Sequence, residues 1–415
     1  MARGDTKSIV KNTTMLMFMN IATLVFPLLT LPYLTRALST DIFGFITYVK
    51  ALVAYMLSFV EFGFIISSTK RIVENIDDLD TVSTIVGDTI AAKLLLFGVS
   101  LLVVGILMLR VPVLSTDILY VFLACITVLL QIYLMDFLFR GLEMMHVIAI
   151  RYLVAKVIST GLTFVFVKGN DTILWIPLLE IFSSLLAIAW IALEMKGLGI
   201  RIAHSSFHAV LRILKHSVTY FATNIVSLSF NMLITLIVGI VLKKEDIAYW
   251  GMCMQLVIAA ILLFSSLMNG VYPAMVQRKD FRIIKKEIML CMPFIVVGCI
   301  AGYYLTPWGL GLVFGEKYVA ATPVFRMLIP VILLNLPSAL LGWPSLGAIG
   351  RESKNMAATI FGLSVLLLGI VVLLLTGQFT LLHAAVLRSL VELVLLLSRA
   401  FYCYRFRHEF HTEVR

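Results

Sequence analysis

Long apolar runs separated by short polar stretches recur along the whole 415-residue chain. An α-helix needs about 20 predominantly apolar residues to cross the hydrocarbon core of a bilayer. Twelve segments meet that requirement. In the first half they are Thr13–Leu34, Phe43–Ser68, Val82–Leu109, Ile118–Leu138, Ile148–Val167 and Ile173–Leu193. In the second half they are Val218–Leu242, Tyr249–Met275, Ile288–Leu305, Phe325–Ile349, Met356–Leu375 and Leu381–Tyr402. The runs are continuous and lack the ten-residue alternation of a membrane β-barrel. The pattern therefore predicts an all-α integral membrane protein with twelve transmembrane helices.

Composition agrees. Hydrophobic residues make up 61% of the chain, charged residues only 13%, and mean hydropathy is +1.04. No water-soluble fold hides so much apolar side chain. Of 33 Lys and Arg residues, 20 fall on the side of the N-terminus, 6 on the other side and 7 within spans. The positive-inside rule then places both termini in the cytoplasm. Trp175, Trp250 and Trp308 fall near the predicted outer interface, where an aromatic belt would sit. The net charge of +10 is mostly a topology signal and does not indicate nucleic-acid binding. Five cysteines, odd in number and without a CxxC, read as packing residues. The first apolar run is too long for a cleavable signal peptide.

The longest inner loop divides the spans six and six. Two pseudo-symmetric six-helix lobes around a central cavity are expected, comprising residues 1–200 and 217–415 with a cytoplasmic linker at 201–216. A shift of 207 residues carries Arg36, Gly44, Gly63 and Arg71 onto Lys243, Gly251, Gly270 and Arg278. Parallel repeats of this kind are a transporter signature, with substrate held between the halves.

Charges inside a bilayer are costly, about 2.5–3.5 kcal/mol each on insertion scales, so each needs a partner or water. Lys50 and Glu61 lie eleven residues apart on the second span, within about 20° of each other, and so point to one polar surface. Lys93 and Asp88 on the third span point about 140° apart and should have different partners. Lys156 lies deeper than Arg151 on the fifth span. Arg388 and Glu392 stand at i and i+4 on the twelfth, which is the spacing of an ion pair or a ligand-facing couple. Arg151, Asp136, Arg326 and Arg399 lie close enough to an interface to snorkel. Glu180 is available to a neighbouring helix. Basic residues in a membrane cavity imply an anionic substrate, a phosphate or pyrophosphate. Lys50, Lys93, Lys156 and Arg388 are therefore the candidate substrate-binding residues. Glu61, Asp88 and Glu392 are candidates for counter-ions or for ion coupling.

Pro27 and Pro32 in the first span, and Pro330 and Pro337 in the tenth, are candidate kink and gating positions. No GxxxxGK[ST], HExxH or GxSxG is present, no resident cofactor or metal is implied, and no loop is long enough for a soluble catalytic domain.

The stretch Leu31-Pro32-Tyr33-Leu34-Thr35-Arg36, followed by Phe43-Gly44, resembles the start of the polysaccharide exporter family of the multidrug/oligosaccharidyl-lipid/polysaccharide (MOP) flippase superfamily. Glu61-Phe62-Gly63-Phe64 with Ser67-Ser68-Thr69-Lys70-Arg71 is similar to the segment closing the second helix there, with Glu61 in place of the usual aspartate and Phe62 in place of Tyr. Tyr272-Pro273 is similar to the family's Tyr-Pro at the end of the eighth helix. The nearest type is the O-antigen repeat-unit flippase. That resemblance implies a multi-pass protein of the bacterial inner membrane. Its substrate would be an undecaprenyl-pyrophosphate-linked oligosaccharide, moved between leaflets by alternating access. Coupling to H+ or Na+, and a polysaccharide polymerase complex as partner, are also implied. A cation-coupled multidrug exporter of the same superfamily, or a membrane-embedded polymerase or glycosyltransferase, are the alternatives.

Overall fold

With no water in the hydrocarbon region, a spanning backbone must satisfy its own N–H and C=O groups, and helices do so within one segment. The computed structural model, which describes residues 6–410, is all-helical. In chain order its helices are α1 (Thr6–Ala37), α2 (Thr40–Glu61), α3 (Phe64–Glu74), α4 (Leu79–Arg110), α5 (Ile118–Ile132), α6 (Asp136–Gly141), α7 (Met145–Phe166) and α8 (Trp175–Leu198). They continue with α9 (Phe207–Val241), α10 (Lys244–Arg278), α11 (Phe281–Phe314), α12 (Thr322–Leu340), α13 (Glu352–Leu375) and α14 (Leu381–Arg405). Among the described residues ten helical segments are long and apolar enough to cross a membrane. Two shorter apolar helices, Ile21–Ala37 and Met232–Val241, fall in the predicted first and seventh spans. Large apolar side chains such as Leu109 and Leu375 are more than four-fifths exposed, as suits a surface facing lipid. The chain is a multi-span helical membrane protein.

The chain divides into two compact units, Met1–Leu228 and Ser229–Arg415. In the first, α1 packs on α7, α7 on α8, α5 on α8 and α2, and α2 on α4. Tyr33 ties α1 to the end of α7, its hydroxyl donating to Val167 O at 2.7 Å. In the second unit α12 packs on α14, α11 and α10, and α13 on α14. Its core contains Met275, Ile284, Leu336, Leu340 and Leu346. Trp250 belongs to this interior and not to an interfacial belt. It is fully buried and donates Nε1–H to Thr235 Oγ1 at 3.1 Å, which satisfies the indole where no water is available. Trp175 and Trp308 are exposed.

Three predicted spans are broken. The second becomes α2 and α3, because Phe62 and Gly63 both adopt left-handed backbone. The fourth becomes α5 and α6, with Met135 left-handed between them. The tenth ends in a π-helical turn at Leu341–Gly347, where Gly342 is non-helical. Helix α1 runs through Pro27 and Pro32, and α12 through Pro330 and Pro337. Pro344 lies within the π-helical turn, close to the non-helical Gly342. Threonine hydroxyls bond back to carbonyls around both α1 prolines, Thr30 to Phe26 and Pro27, Thr35 to Leu31 and Pro32. Residues 207–216 of the expected linker are helical and form the start of α9.

Gly63 is required for two reasons. Its φ is +76°, and a Cβ there would stand 2.5 Å from Tyr220 Cβ and 3.0 Å from Phe221 N of α9. Gly63→Ala should therefore destabilise the protein by about 1–3 kcal/mol. Gly298→Ala, in α11 with nothing within 4 Å, should be neutral or slightly stabilising. Thermal melts in detergent compare the two, and equal effects would contradict the close-approach argument.

A second expectation concerns the end of the chain. Arg351 grips Glu409 through Nε–Oε2 at 3.0 Å and Nη2–Oε1 at 2.5 Å. Those hydrogen bonds from Arg351 hold the Glu409 carboxyl below its usual range. A depressed carboxylate stabilises above its unfolded-state value, and that stability is lost as pH falls through the folded-state value. Acidification from roughly pH 6 to pH 3 should therefore narrow the melting difference between wild type and Glu409→Gln. An unchanged difference would contradict the coupling.

Candidate functional site

Most intramembrane charges find partners close by. Lys93, on α4, is 2% exposed and donates to Glu61 Oε1 at 2.6 Å, with its ammonium 5.2 Å from the Phe137 ring centre. Glu61 is the last residue of α2, which packs on α4. Arg151, on α7, donates to Asp136 Oδ1 at 2.5 Å and to Leu134 O at 3.3 Å. These are the acid and a carbonyl exposed by the break between α5 and α6. Arg388 and Glu392 form an i, i+4 pair at 2.9 Å, 4% and 3% exposed, and Asn335 also donates to Glu392 at 3.1 Å. Arg399 donates to Ser338 O and Oγ, both at 3.0 Å. Asp88 accepts from Ser205 Oγ at 2.7 Å. Each is what a low-dielectric interior requires of a charge it retains.

Lys50 and Lys156 are different. Among the described residues neither has a carboxylate within 4.0 Å. Both line a cavity of about 510 Å³ inside the first unit. Lys50 enters it from α2, Lys156 from α7 and Glu180 from α8. Tyr120 and Gln131 of α5 and Tyr152 of α7 add polar groups, and the Arg151–Asp136 pair lies in the same wall. A smaller pocket of about 100 Å³ shares Lys50, Lys156 and Glu180, and is closed on one side by Pro27 and Thr30 of α1. An ammonium with no carboxylate in contact must keep water, and the cavity provides room for it. With Arg151 and Asp136 cancelling, Lys50, Lys156 and Glu180 leave one positive charge in excess. The site therefore attracts an anion, and its two ammonium groups can turn their donors toward one.

The structure thus brings Lys50 and Lys156 together and sets the other expected residues apart. Lys93 lies outside this cavity, paired with Glu61, so Lys50 and Glu61 do not share one polar surface. Arg388, with Glu392, is in the second unit as a buried ion pair. Asp88 and Lys93 have different partners. Pro27 is at the cavity edge, and Pro330 and Pro337 are in α12. Glu180, Tyr120, Gln131 and Tyr152 are polar residues of this cavity not singled out as ligands from the sequence. Glu180 carried a signal, as an acid five residues inside an apolar helix, but its partners lie on helices distant in sequence.

Residues 9–279 match the sequence profile of a family described as polysaccharide biosynthesis protein. A protein of Escherichia coli (strain K12), described as a candidate O-antigen transporter, is 24% identical over 280 residues, 67% of each chain. One of the same description from Shigella dysenteriae is 30% identical over 169 residues, 39% of this chain and 41% of that one. Among solved structures, the lipid II flippase MurJ in an inward closed conformation aligns with a TM-score of 0.69 at 13% identity. That alignment covers 95% of this chain and 87% of MurJ. An inward-facing multidrug resistance MATE family transporter of the MOP superfamily aligns with a TM-score of 0.62, also at 13% identity, over 93% of this chain and 99% of the other. Both similarities concern the fold.

The paired charges give a direct test of the electrostatic reading. Removing one partner of a buried pair strands the other, at about 3–5 kcal/mol. Arg388→Ala should therefore lower stability severely. The double replacement Arg388→Met with Glu392→Met should recover most of the loss. Melting of the purified variants in detergent decides, and a double variant as unstable as the single one would contradict it.

Proposed function

The chain belongs to the polysaccharide biosynthesis protein family, and from that premise we propose that it is a flippase for undecaprenyl-pyrophosphate-linked oligosaccharide repeat units, O-antigen or a related surface polysaccharide. The observation that carries the reading is the pair of ammonium groups, Lys50 and Lys156, with no carboxylate in contact and only the acid Glu180 set against them, in a cavity whose other charges, Arg151 and Asp136, neutralise each other. A lipid-linked pyrophosphate is the cargo whose charge fits them. It is anionic at neutral pH, it must cross a medium in which a bare anion is prohibitively costly, and its lipid tail can stay in the bilayer while the headgroup is neutralised.

The mechanism follows from charge and water. The cavity admits the headgroup from the cytoplasmic leaflet, and the two lysines replace the water and counter-ions that the pyrophosphate leaves behind. Two six-helix lobes, twelve spans in all with both termini cytoplasmic, then alternate access toward the periplasmic leaflet of the inner membrane. Release there needs the lysines to be given another partner. Glu180 shares both pockets with them. Glu61, Asp88 and Glu392 are each already held by a donor, from Lys93, from Ser205, and from Arg388 with Asn335. Coupling to an H+ or Na+ gradient would therefore act through Glu180, by changing how strongly it competes for the lysines. No step makes or breaks a covalent bond, so the protein acts as a transporter and not an enzyme.

Replacing both lysines, Lys50→Gln with Lys156→Gln, should reduce surface polysaccharide export at least tenfold and cause lipid-linked repeat units to accumulate in the cytoplasmic leaflet, with protein levels unchanged. Gel analysis of the polysaccharide and mass spectrometry of the lipid pool read this out. Normal export in the double variant would reject the assignment.

A further inference from the structure

A second polar pocket lies at the opposite end of α2 from Ser39, and the helix break at Gly63 creates it. Past that break, α3 is an amphipathic helix. Phe64, Ser67, Ser68 and Ile72 are buried, and Thr69 Oγ1 donates to Phe137 O of α6 at 3.0 Å. The beginning of α9 lies against α3. Ser67 Oγ and Ser217 Oγ are 2.6 Å apart, and Phe62 stacks on Phe221 with ring centres 4.4 Å apart. Between them a pocket of about 370 Å³ opens, lined by Lys70, Arg71 and Glu74 of α3, Asp88 of α4, and Arg212, His216 and Tyr220 of α9, among others.

Its charges are unequally satisfied. Lys70 is 3.9 Å from Glu74, and Asp88 is held by Ser205. Among the described residues Arg71 and Arg212 have no carboxylate within 4.0 Å. They approach the pocket from different helices, α3 and α9, so two planar guanidiniums can close on one tetrahedral anion. The two helices also expose apolar side chains outside the pocket lining, Ile66 and Val73 on α3 and Phe207 and Leu211 on α9. A cationic pocket on an amphipathic helix that continues a membrane span, with apolar side chains exposed on other faces of the same helices, fits an interfacial depth where a phosphate lies beside acyl chains.

We propose that this pocket binds the phosphate or pyrophosphate group of an anionic lipid, with Arg71 and Arg212 as its ligands and His216 and Tyr220 as further donors. The site shares no residue with the Lys50–Lys156 cavity. It is built within the first unit and needs only α3, α4 and α9. Its two possible sources, a membrane lipid headgroup and a water-soluble phosphate, share that chemistry and differ in whether an acyl chain adds to the binding.

The test uses the purified full-length protein in neutral detergent and three probes: dihexanoyl phosphatidylglycerol, dihexanoyl phosphatidylcholine and inorganic pyrophosphate. Saturable binding is read by the shift in thermal midpoint with probe concentration. Phosphatidylglycerol should bind at least tenfold more tightly than phosphatidylcholine. Arg71→Gln with Arg212→Gln should weaken it about tenfold or more, each charge-assisted pair carrying of that order. Arg71→Lys with Arg212→Lys keeps the charge and should fall between, which separates ligand loss from misfolding. Introduced on top of Lys50→Gln with Lys156→Gln, the two Arg→Gln changes should still weaken phosphatidylglycerol binding by the same factor, which distinguishes the pocket from the transport cavity. Pyrophosphate without measurable binding assigns the site to a lipid headgroup, and pyrophosphate as tight as phosphatidylglycerol assigns it to the phosphate group alone. Equal binding of the two lipids, or phosphatidylglycerol binding that survives Arg71→Gln with Arg212→Gln, overturns the proposal.

Discussion

A charge inside a bilayer must find either an opposite charge or water, and that constraint organises this protein. Lys93 takes Glu61, Arg151 takes Asp136 and Arg388 takes Glu392, at 2.5–2.9 Å. Arg399 donates from Nη1 to a serine carbonyl and hydroxyl. These groups hold helices in register and have little left to offer a ligand. Lys50 and Lys156 take the other course and keep a cavity. Function is therefore read from the exceptions: where a charge is retained without a protein partner, an external partner is the physical reason for retaining it.

Helix breaks are how the partners meet. The left-handed backbone at Phe62 and Gly63 ends α2 directly after Glu61, the acid that takes Lys93, and starts α3 in a new direction against the beginning of α9. The break before Asp136 does the same for Arg151, which collects both the acid and the Leu134 carbonyl. In each case a residue that costs energy in its backbone conformation positions a charge that would otherwise cost more. The close approach of α9 at Gly63 then places the basic pocket beside the buried break.

The architecture was legible to the extent that it depends on local hydrophobicity. The spans, the intramembrane charges and the family resemblance of Glu61-Phe62-Gly63-Phe64 all lie in continuous sequence. The pairing at i and i+4 of Arg388 with Glu392 was legible too, because helical geometry fixes it. Pairings between helices were not. Lys93 has the same sequence signature as Lys50, a lysine well inside an apolar span, and only the fold reveals that one is neutralised and the other is not. Pro27, Pro32, Pro330 and Pro337 stand in uninterrupted helix, as membrane helices allow, whereas the backbone leaves the helix at Gly63, Met135 and Gly342. Trp250 was misplaced for a related reason. Position along a span gives depth, but burial depends on which face meets a neighbour.

The central claim is that Lys50 and Lys156 exist to neutralise a lipid-linked pyrophosphate. Its most direct test compares the affinity of the purified protein for a polyprenyl pyrophosphate and for the corresponding uncharged polyprenol, in wild type and in Lys50→Gln with Lys156→Gln. The account predicts that wild type binds the pyrophosphate at least tenfold more tightly, and that the double variant loses that preference while still binding polyprenol. Equal affinity for the two lipids in wild type, or a preference that survives loss of both lysines, would contradict it.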